Sequence, residues 1–161
     1  MQSGRLRYLP YVEEAIQAIN TSEYLAIIVT NQSAISKGFL TENGLTIIHK
    51  KMETLLGRKR AYIDGIYFCP HHYEKGFDGE VPELKIDCKC RKPKPGMLLQ
   101  AQRDFNIDME NSWMIGDSKS DIQAGIAAGC KTVAIGLQHA GKEYCQKAAA
   151  NLLCAVKHIG L

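Results

Sequence analysis

What this sequence lacks narrows it first. No apolar run approaches the ~20 residues that a membrane span needs. The opening stretch, MQSGRLRYLPYVEE, has no apolar core of the secretory type. There is no internal repeat, low-complexity tract or linker, which excludes solenoids and bead-like arrays. Aromatics are only 7%, and the formal charge of +3 comes largely from two clusters, Arg58-Lys59-Arg60 and Arg91-Lys92-Lys94. A nucleic-acid binder needs a broader basic face interleaved with aromatics, so that class is set aside. No aspartate precedes Asp64. These absences predict a cytoplasmic protein with no membrane and no nucleic-acid partner, organised as one domain over residues 1–161. At 161 residues, 45% hydrophobic, the chain can bury a real core without needing metal or disulfides to fold.

What is there begins with cysteine. In a reducing compartment six cysteines argue for metal or plain thiols rather than disulfides. Cys69-Pro-His71 and Cys88-Lys-Cys90 form two close pairs separated by a loop, the inventory of a tetrahedral Cys3His zinc site. His72 competes with His71, but Cys-x-His mirrors Cys-x-Cys and favours His71. With four protein donors such a zinc is structural, because no position is left for water. Arg91 and Lys92 follow the last thiol directly, so a metal that pins the loop also aims them. Cys130, Cys145 and Cys154 read as ordinary small buried residues.

Hydrophobic periodicity orders the rest. Val12, Ala15, Ile16 and Ile19 share one helical face. Leu25–Val29 reads as a buried strand, and Thr41 caps a helix carrying Leu45, Ile48, Met52 and Leu55, with Gly57 and the basic triplet at its end. Ile66–Phe68 is a strand leading into Cys69. Pro95 and Gly96 open a helix, Trp113–Ile115 is a strand, Ser120–Ala128 a helix stopped by Gly129, and Lys131–Ile135 the last clear strand. The tail from Lys142 to Leu161 reads as helical. Strands alternating with helices predict an α/β fold, a parallel sheet with helices on both faces.

In such sheets ligands sit at the carboxyl ends of strands. The polar residues found there are Thr30, Asn31, Gln32 and Ser33, then Arg91 and Lys92, then Asp117 with Asp121. A hydroxyl, a lysine and an arginine suit phosphate, and a strand-end carboxylate can hold Mg²⁺. Each has a plainer reading: Thr30–Ser33 as a strand-to-helix turn, Asp117 as a helix N-cap, Lys92 as a surface residue. His49, His139 and His158 have no partner pattern and read as solvated.

Three motifs carry a family resemblance. VTNQS at 29–33, CRKPKPGML at 90–98 and GDSKSDIQAGIAAG at 116–129 resemble the second, third and fourth motifs of the haloacid dehalogenase (HAD) superfamily of phosphatases. The zinc loop, with YFCPHH at 67–72, is similar to the branch holding D-glycero-D-manno-heptose 1,7-bisphosphate phosphatase and the histidinol-phosphatase domain. The resemblance covers about residues 5–160. It implies a HAD-like (Rossmann-like) sheet with a zinc-binding loop insertion, and a Mg²⁺-dependent phosphatase acting through an aspartyl-phosphate. By this likeness Thr30 would bond the phosphoryl group, Asn31, Gln32 and Ser33 would line the pocket, and Lys92 would neutralise charge. Arg91 and Ser118 would contact substrate, Asp117 would hold Mg²⁺ with Asp121 behind it, and Cys69, His71, Cys88 and Cys90 would bind zinc. The implied substrate is a small phosphorylated sugar, foremost the heptose bisphosphate at C7, with histidinol phosphate as alternative, in lipopolysaccharide heptose biosynthesis. The implied state is a monomer.

One motif is absent. The family carries its nucleophile and general acid as Asp-x-Asp at the end of a first strand, and no such pair occurs in the sequence. RLRYLPYVEEAIQAI matches the stretch that follows that strand, so the sequence reads as N-terminally truncated relative to the family, its first strand missing. Two readings follow: a phosphatase shorn of its first strand and nearly inactive as written, or a non-catalytic, zinc-stabilised phosphosugar-binding remnant.

Overall fold

The computed structural model describes residues 9–136 and 145–161. In chain order these form α1 (Val12–Asn20), β1 (Ile27–Asn31), α2 (Ser33–Ser36), α3 (Glu42–Gly57), β2 (Gly65–Cys69) and a 3-10 turn (Pro82–Leu84). There follow α4 (Gly96–Phe105), β3 (Trp113–Gly116), α5 (Lys119–Ala128), β4 (Lys131–Ile135), β5 (Lys147–Ala149) and α6 (Leu152–His158). Thr41 caps α3 by accepting from the Gly44 amide, and Gly129 ends α5 at φ 85°, the left-handed conformation that glycine adopts at no cost.

Every strand pairing is parallel, as alternating strands and helices require. The strands do not form one sheet, however. β1 pairs with β2, and separately β3, β4 and β5 pair in that order. Among the described residues no strand lies between β1 and β3. The strands are therefore divided into two half-sheets.

Helices hold the halves together. On one side α1, α3 and α6 supply Ile16, Leu56 and Leu152 to a cluster with Ala26 and Ala61. Trp113 and Ile115 of β3 turn to this same side, against Val133, Ala149 and Ala155. On the other side α4 and α5 pack on the strands and on each other. Met114 and Thr132 meet α5 there, at a distance only a glycine permits: a Cβ on Gly125 would stand 2.5 Å from Met114 Cβ.

Some expectations change. β1 begins two residues later than read and extends to Asn31, because Leu25 is exposed. The tail is not helical throughout. Residues 147–149 form β5, since Ala148 and Ala149 pair with β4 and small residues fit beneath α6. Helix is confined to Leu152–His158, where Asn151 caps by accepting from the Cys154 amide. Cys130, Cys145 and Cys154 are half-buried rather than buried. His49 is half-buried and edges Phe68 at 6.3 Å between ring centroids, while His158 is exposed. His139 and the start of the helical tail reading, at 142–144, lie outside the described residues. No helix among the described residues is long and apolar enough to cross a membrane.

Glycine contacts give a direct test of the helix–sheet packing. Gly125→Ala forces a methyl group into Met114 and is expected to cost about 1–3 kcal/mol. Gly57→Ala enters open space in the last turn of α3 and is expected to be neutral or stabilising by up to about 1 kcal/mol. Urea unfolding of both variants checks this, and matching midpoints would refute the close approach of α5.

Candidate active site and metal centre

The parallel register of β1 and β2 sets the site. Asn31 stands opposite Cys69, and the Gln32 amide donates to the Cys69 carbonyl at 2.8 Å. The polar run after β1 therefore begins beside the first thiol. β3 delivers Asp117 at its carboxyl end in the same direction. All three polar clusters named from sequence meet along one edge, where an open α/β sheet binds ligands.

The two Cys pairs converge. Cys69 Sγ lies 3.4 Å from Cys88 Sγ and 3.1 Å from Cys90 Sγ, and Cys88 and Cys90 are 3.3 Å apart. His71 Nδ1 sits 3.6 Å from Cys69 Sγ and 3.4 Å from Cys90 Sγ. A tetrahedral zinc with bonds of about 2.3 Å to sulfur puts sulfurs about 3.8 Å apart, so this donor set fits the ion with slight expansion. Three sulfurs and one imidazole also have the softness that zinc selects. His72 is not in the cluster; its Nδ1 accepts from the Glu74 amide. Burial, then the Cys90 thiol, pushes the Cys69 thiol well up, and burial, then Cys88, raises Cys90. Burial acts the same way on Cys88, but bonds from Cys90, the Arg91 amide and Cys69 outweigh it and lower its pKa. Thiols so crowded cannot all ionise without a cation among them.

Two further lysines keep this cluster in shape. The Lys85 ammonium is buried, pairs with Glu80 at 3.1 Å and donates to the Glu74 carbonyl at 2.6 Å. Lys94 bridges Asp87 and the Cys88 carbonyl. Lys85 has no signal in the sequence beyond its place inside the metal loop, whereas Lys94 belongs to the basic cluster that follows the last thiol.

Lys92 is the centre of the site. Asn31 clamps its backbone: the Lys92 amide donates to Asn31 Oδ1 at 3.0 Å and the Asn31 amide group donates to the Lys92 carbonyl at 3.1 Å. The Lys92 ammonium donates to the Val29 carbonyl at 2.8 Å and pairs with Asp121 Oδ1 at 2.6 Å. It is a nearly buried cation, not a surface residue. Arg91 turns toward the metal loop, donating to the His71 carbonyl at 3.2 Å, and its amide reaches Cys88 Sγ at 3.3 Å. Such contacts orient metal ligands.

Around the β3 end, Ser118 rather than Asp117 is the N-cap of α5. Its hydroxyl accepts from the Asp121 amide while Asp121 Oδ2 accepts from the Ser118 amide, a reciprocal capping box. Ser118 is thereby committed to the helix start and to Ser120 at 2.9 Å. Asp121 is buried, which works against its charge, yet Lys92 and Ser118 outweigh that and hold its carboxyl below the usual range. Gly116 makes room for it, since a Cβ there would meet Asp121 at 2.3 Å. Asp117 is left exposed, its carboxylate free of the cap. Thr30 Oγ1 accepts from Gln32 at 3.2 Å, and Ser33 begins the short α2. The carboxyl ends of β1 and β3 thus carry a hydroxyl and an exposed carboxylate, with the desolvated Lys92 ammonium bonded to β1.

Known proteins resemble this chain in sequence and in fold. The HAD-hydrolase-like family model matches residues 89–154. The chain is 42% identical over 126 residues to a D-glycero-beta-D-manno-heptose-1,7-bisphosphate 7-phosphatase of Yersinia pestis, covering 78% of this chain and 65% of that protein. It is 39% identical over 125 residues to the Rhodopseudomonas palustris protein of the same name, covering 78% and 67%. The chain thus spans about two thirds of the length of these relatives. Among solved structures it resembles a B. bronchiseptica D,D-heptose 1,7-bisphosphate phosphatase complexed with magnesium and phosphate. That match has a TM-score of 0.78 at 27% identity, over 94% of this chain and 82% of that one. A HAD-like phosphatase from Mesorhizobium loti matches with a TM-score of 0.79 at 26% identity, over 98% and 77%. With this fold, this metal cluster and these relatives, the chain belongs to the HAD-like hydrolase family, in the branch of the heptose-1,7-bisphosphate 7-phosphatases.

Proposed function

We propose that the chain forms the phosphate-holding and metal-holding part of a cytoplasmic, monomeric phosphomonoester hydrolase for a phosphorylated sugar. The favoured substrate is D-glycero-D-manno-heptose 1,7-bisphosphate at its C7 phosphate, ahead of histidinol phosphate. The observation that carries this reading is the Lys92 ammonium, held by Asn31, Val29 and Asp121 at the carboxyl ends of β1 and β3. A desolvated cation so fixed stabilises charge on a transferring phosphoryl group without reorganising.

Thr30 offers a hydroxyl to the phosphoryl oxygens, and Asn31 positions Lys92 rather than reaching substrate freely. Gln32, Ser33 and Arg91 line the approach, and Ser118 acts through the α5 cap. The exposed Asp117 carboxylate suits Mg²⁺, which is commonly held by one or two carboxylates and water. Mg²⁺ bound there would neutralise phosphate charge beside Lys92. Asp121 supports the site by fixing Lys92. Cys69, His71, Cys88 and Cys90 would hold zinc as a structural ion. Residues 1–161 form one HAD-like domain in this reading, short of the family's first strand.

The attacking group is the limit. The sequence contains no Asp-x-Asp pair, and Glu13 and Glu14 lie on α1. This favours a second reading, in which the polypeptide by itself binds phosphosugar and does not turn it over. Removing a covalent nucleophile costs on the order of 10⁶ in turnover where it has been dissected.

The readings are separated by measuring both steps on the purified chain. Calorimetry with Mg²⁺ should show heptose bisphosphate binding that weakens at least about tenfold in Lys92→Met, a loss of about 1.4 kcal/mol. Phosphate release should stay near background; turnover above about 1 s⁻¹, ordinary for an enzyme, would refute the dependence on an aspartate pair. Metal analysis should find about one zinc per chain, lost in Cys88→Ser with a lower Tm; metal-free protein with an unchanged Tm would contradict the centre.

The Lys92–Asp121 pair also sets an acid limit. Because the Asp121 pKa is lowered on folding, the unfolded chain binds the extra proton first. The pair's contribution is complete above the unfolded value of about 3.9 and is lost as pH falls toward the folded pKa. Lys92→Met should destabilise by about 3 kcal/mol at pH 7, a penalty that shrinks below about pH 4. Urea midpoints that differ equally at pH 7 and pH 3 would show that Asp121 is not held ionised by Lys92.

A further inference from the structure

A cavity of about 840 Å³ between the two half-sheets takes in Lys92, Asp117 and Cys130 and belongs to the site described above. A second pocket, of about 460 Å³, lies behind the metal loop. Pro95, Gly96 and Leu99 line it from the start of α4, together with the exposed Lys89 and Arg103 and with Cys90. Loop and helix are closely docked there. The Gly96 amide donates to the Lys89 carbonyl at 3.1 Å, and a Cβ on Gly96 would stand 2.8 Å from Cys90 Cα. Neither Cys69 nor Cys88 lines this pocket.

The three thiols of the metal centre are therefore unequal. Cys69, the last residue of β2, is fully buried. Cys88 Sγ accepts from the Arg91 amide at 3.3 Å, which draws electron density from that sulfur. Cys90 is half-buried at the pocket wall, with Cys69 Sγ at 3.1 Å and Cys88 Sγ at 3.3 Å from its own sulfur. An accessible cysteine with a second sulfur in contact is the arrangement that a peroxide converts to a disulfide. We propose that Cys90 is an oxidation site, at which a peroxide closes a Cys69–Cys90 disulfide and empties the metal centre. The inference rests on the metal-centre reading given above.

The step balances. The Cys90 sulfur attacks the peroxide, an S–O bond forms as the O–O bond breaks, and the departing oxygen leaves as water. The Cys69 sulfur then displaces the remaining oxygen from Cys90, and a second water leaves. Two thiols are oxidised by two electrons, one peroxide is reduced, and the protons come from the thiols or from solvent. Cys69 is the partner because it is the nearer sulfur and comes from a separate strand. A Cys88–Cys90 bond would close over a single intervening residue, which strains it. Only His71 and Cys88 then remain, too few for the four donors that structural zinc takes. A disulfide of this kind in a reducing compartment is transient, and a thiol reductant restores the donors.

The test uses the full chain, with zinc content measured first so that the metal centre is checked separately. Hydrogen peroxide at about 1 mM should release about one zinc per chain, read with a zinc-sensitive dye, and lower the mass by about 2 Da. Peptide mapping should find Cys69 joined to Cys90, and dithiothreitol with added zinc should restore the bound metal. Leu99→Trp, which fills the pocket, should slow zinc release and disulfide formation at least about fivefold with zinc content unchanged. Arg103→Trp, at an exposed position on the same pocket, should do so without touching the core. Bound zinc that survives the peroxide, a disulfide that omits Cys90, or rates equal to the parent's in both tryptophan variants would each overturn the proposal. The disulfide map decides the matter even for a chain found without zinc.

Discussion

The structure depends on one buried cation. Lys92 sits where β1, the metal loop and α5 come together, bonded to a strand carbonyl on one side and to the Asp121 carboxylate on the other. A lysine taken out of water costs several kcal/mol unless paired and hydrogen-bonded, and every contact around it serves that need. Asn31 fixes its backbone, Gly116 clears space for Asp121, and Ser118 caps the helix that presents Asp121. Removing Asp121 leaves the cation without its partner, and removing the others loosens the residues that hold the pair.

The metal loop aims this cation. Cys90 and Lys92 are two residues apart, and Arg91 between them contacts the cluster twice, through its amide to Cys88 Sγ and its guanidinium to the His71 carbonyl. Four donors drawn to one ion would hold a long, otherwise irregular segment against the ends of β1 and β2. Irregular loops of this length carry a large ordering entropy, and a metal clip offsets it in one step. Lys85 and Lys94 stiffen the same loop by satisfying its carbonyls.

Much of this was legible in the sequence. The Cys-x-His and Cys-x-Cys spacing named the four converging donors, because close pairs of soft ligands have few other uses. The strand-end rule placed Thr30, Lys92 and Asp117 on one edge, since parallel strands make their carboxyl ends neighbours. What was not legible depended on tertiary contact. Asp117 and Ser118 are equally good caps by composition, and only the position of Asp121 decides between them. Residues 147–149 look helical because alanine favours helices, yet pairing with β4 under α6 overrides that propensity. The half-exposure of Cys130 is of the same kind. It lies beside a cavity that no local pattern announces.

That cavity changes how the stability of the molecule is distributed. In an unbroken parallel sheet the backbone ladder itself transmits order from strand to strand. Here the ladder stops at β1 and resumes at β3, and among the described residues the halves meet through side chains: α1 against α6, α4 against α5, and Lys92 against Asp121. Apolar helix contact is nondirectional and tolerates sliding, whereas the ion pair at 2.6 Å does not. The pair therefore sets the register of one half-sheet against the other at the carboxyl end. The amino end, between Leu25 and Ser112, has no equivalent clamp among the described contacts.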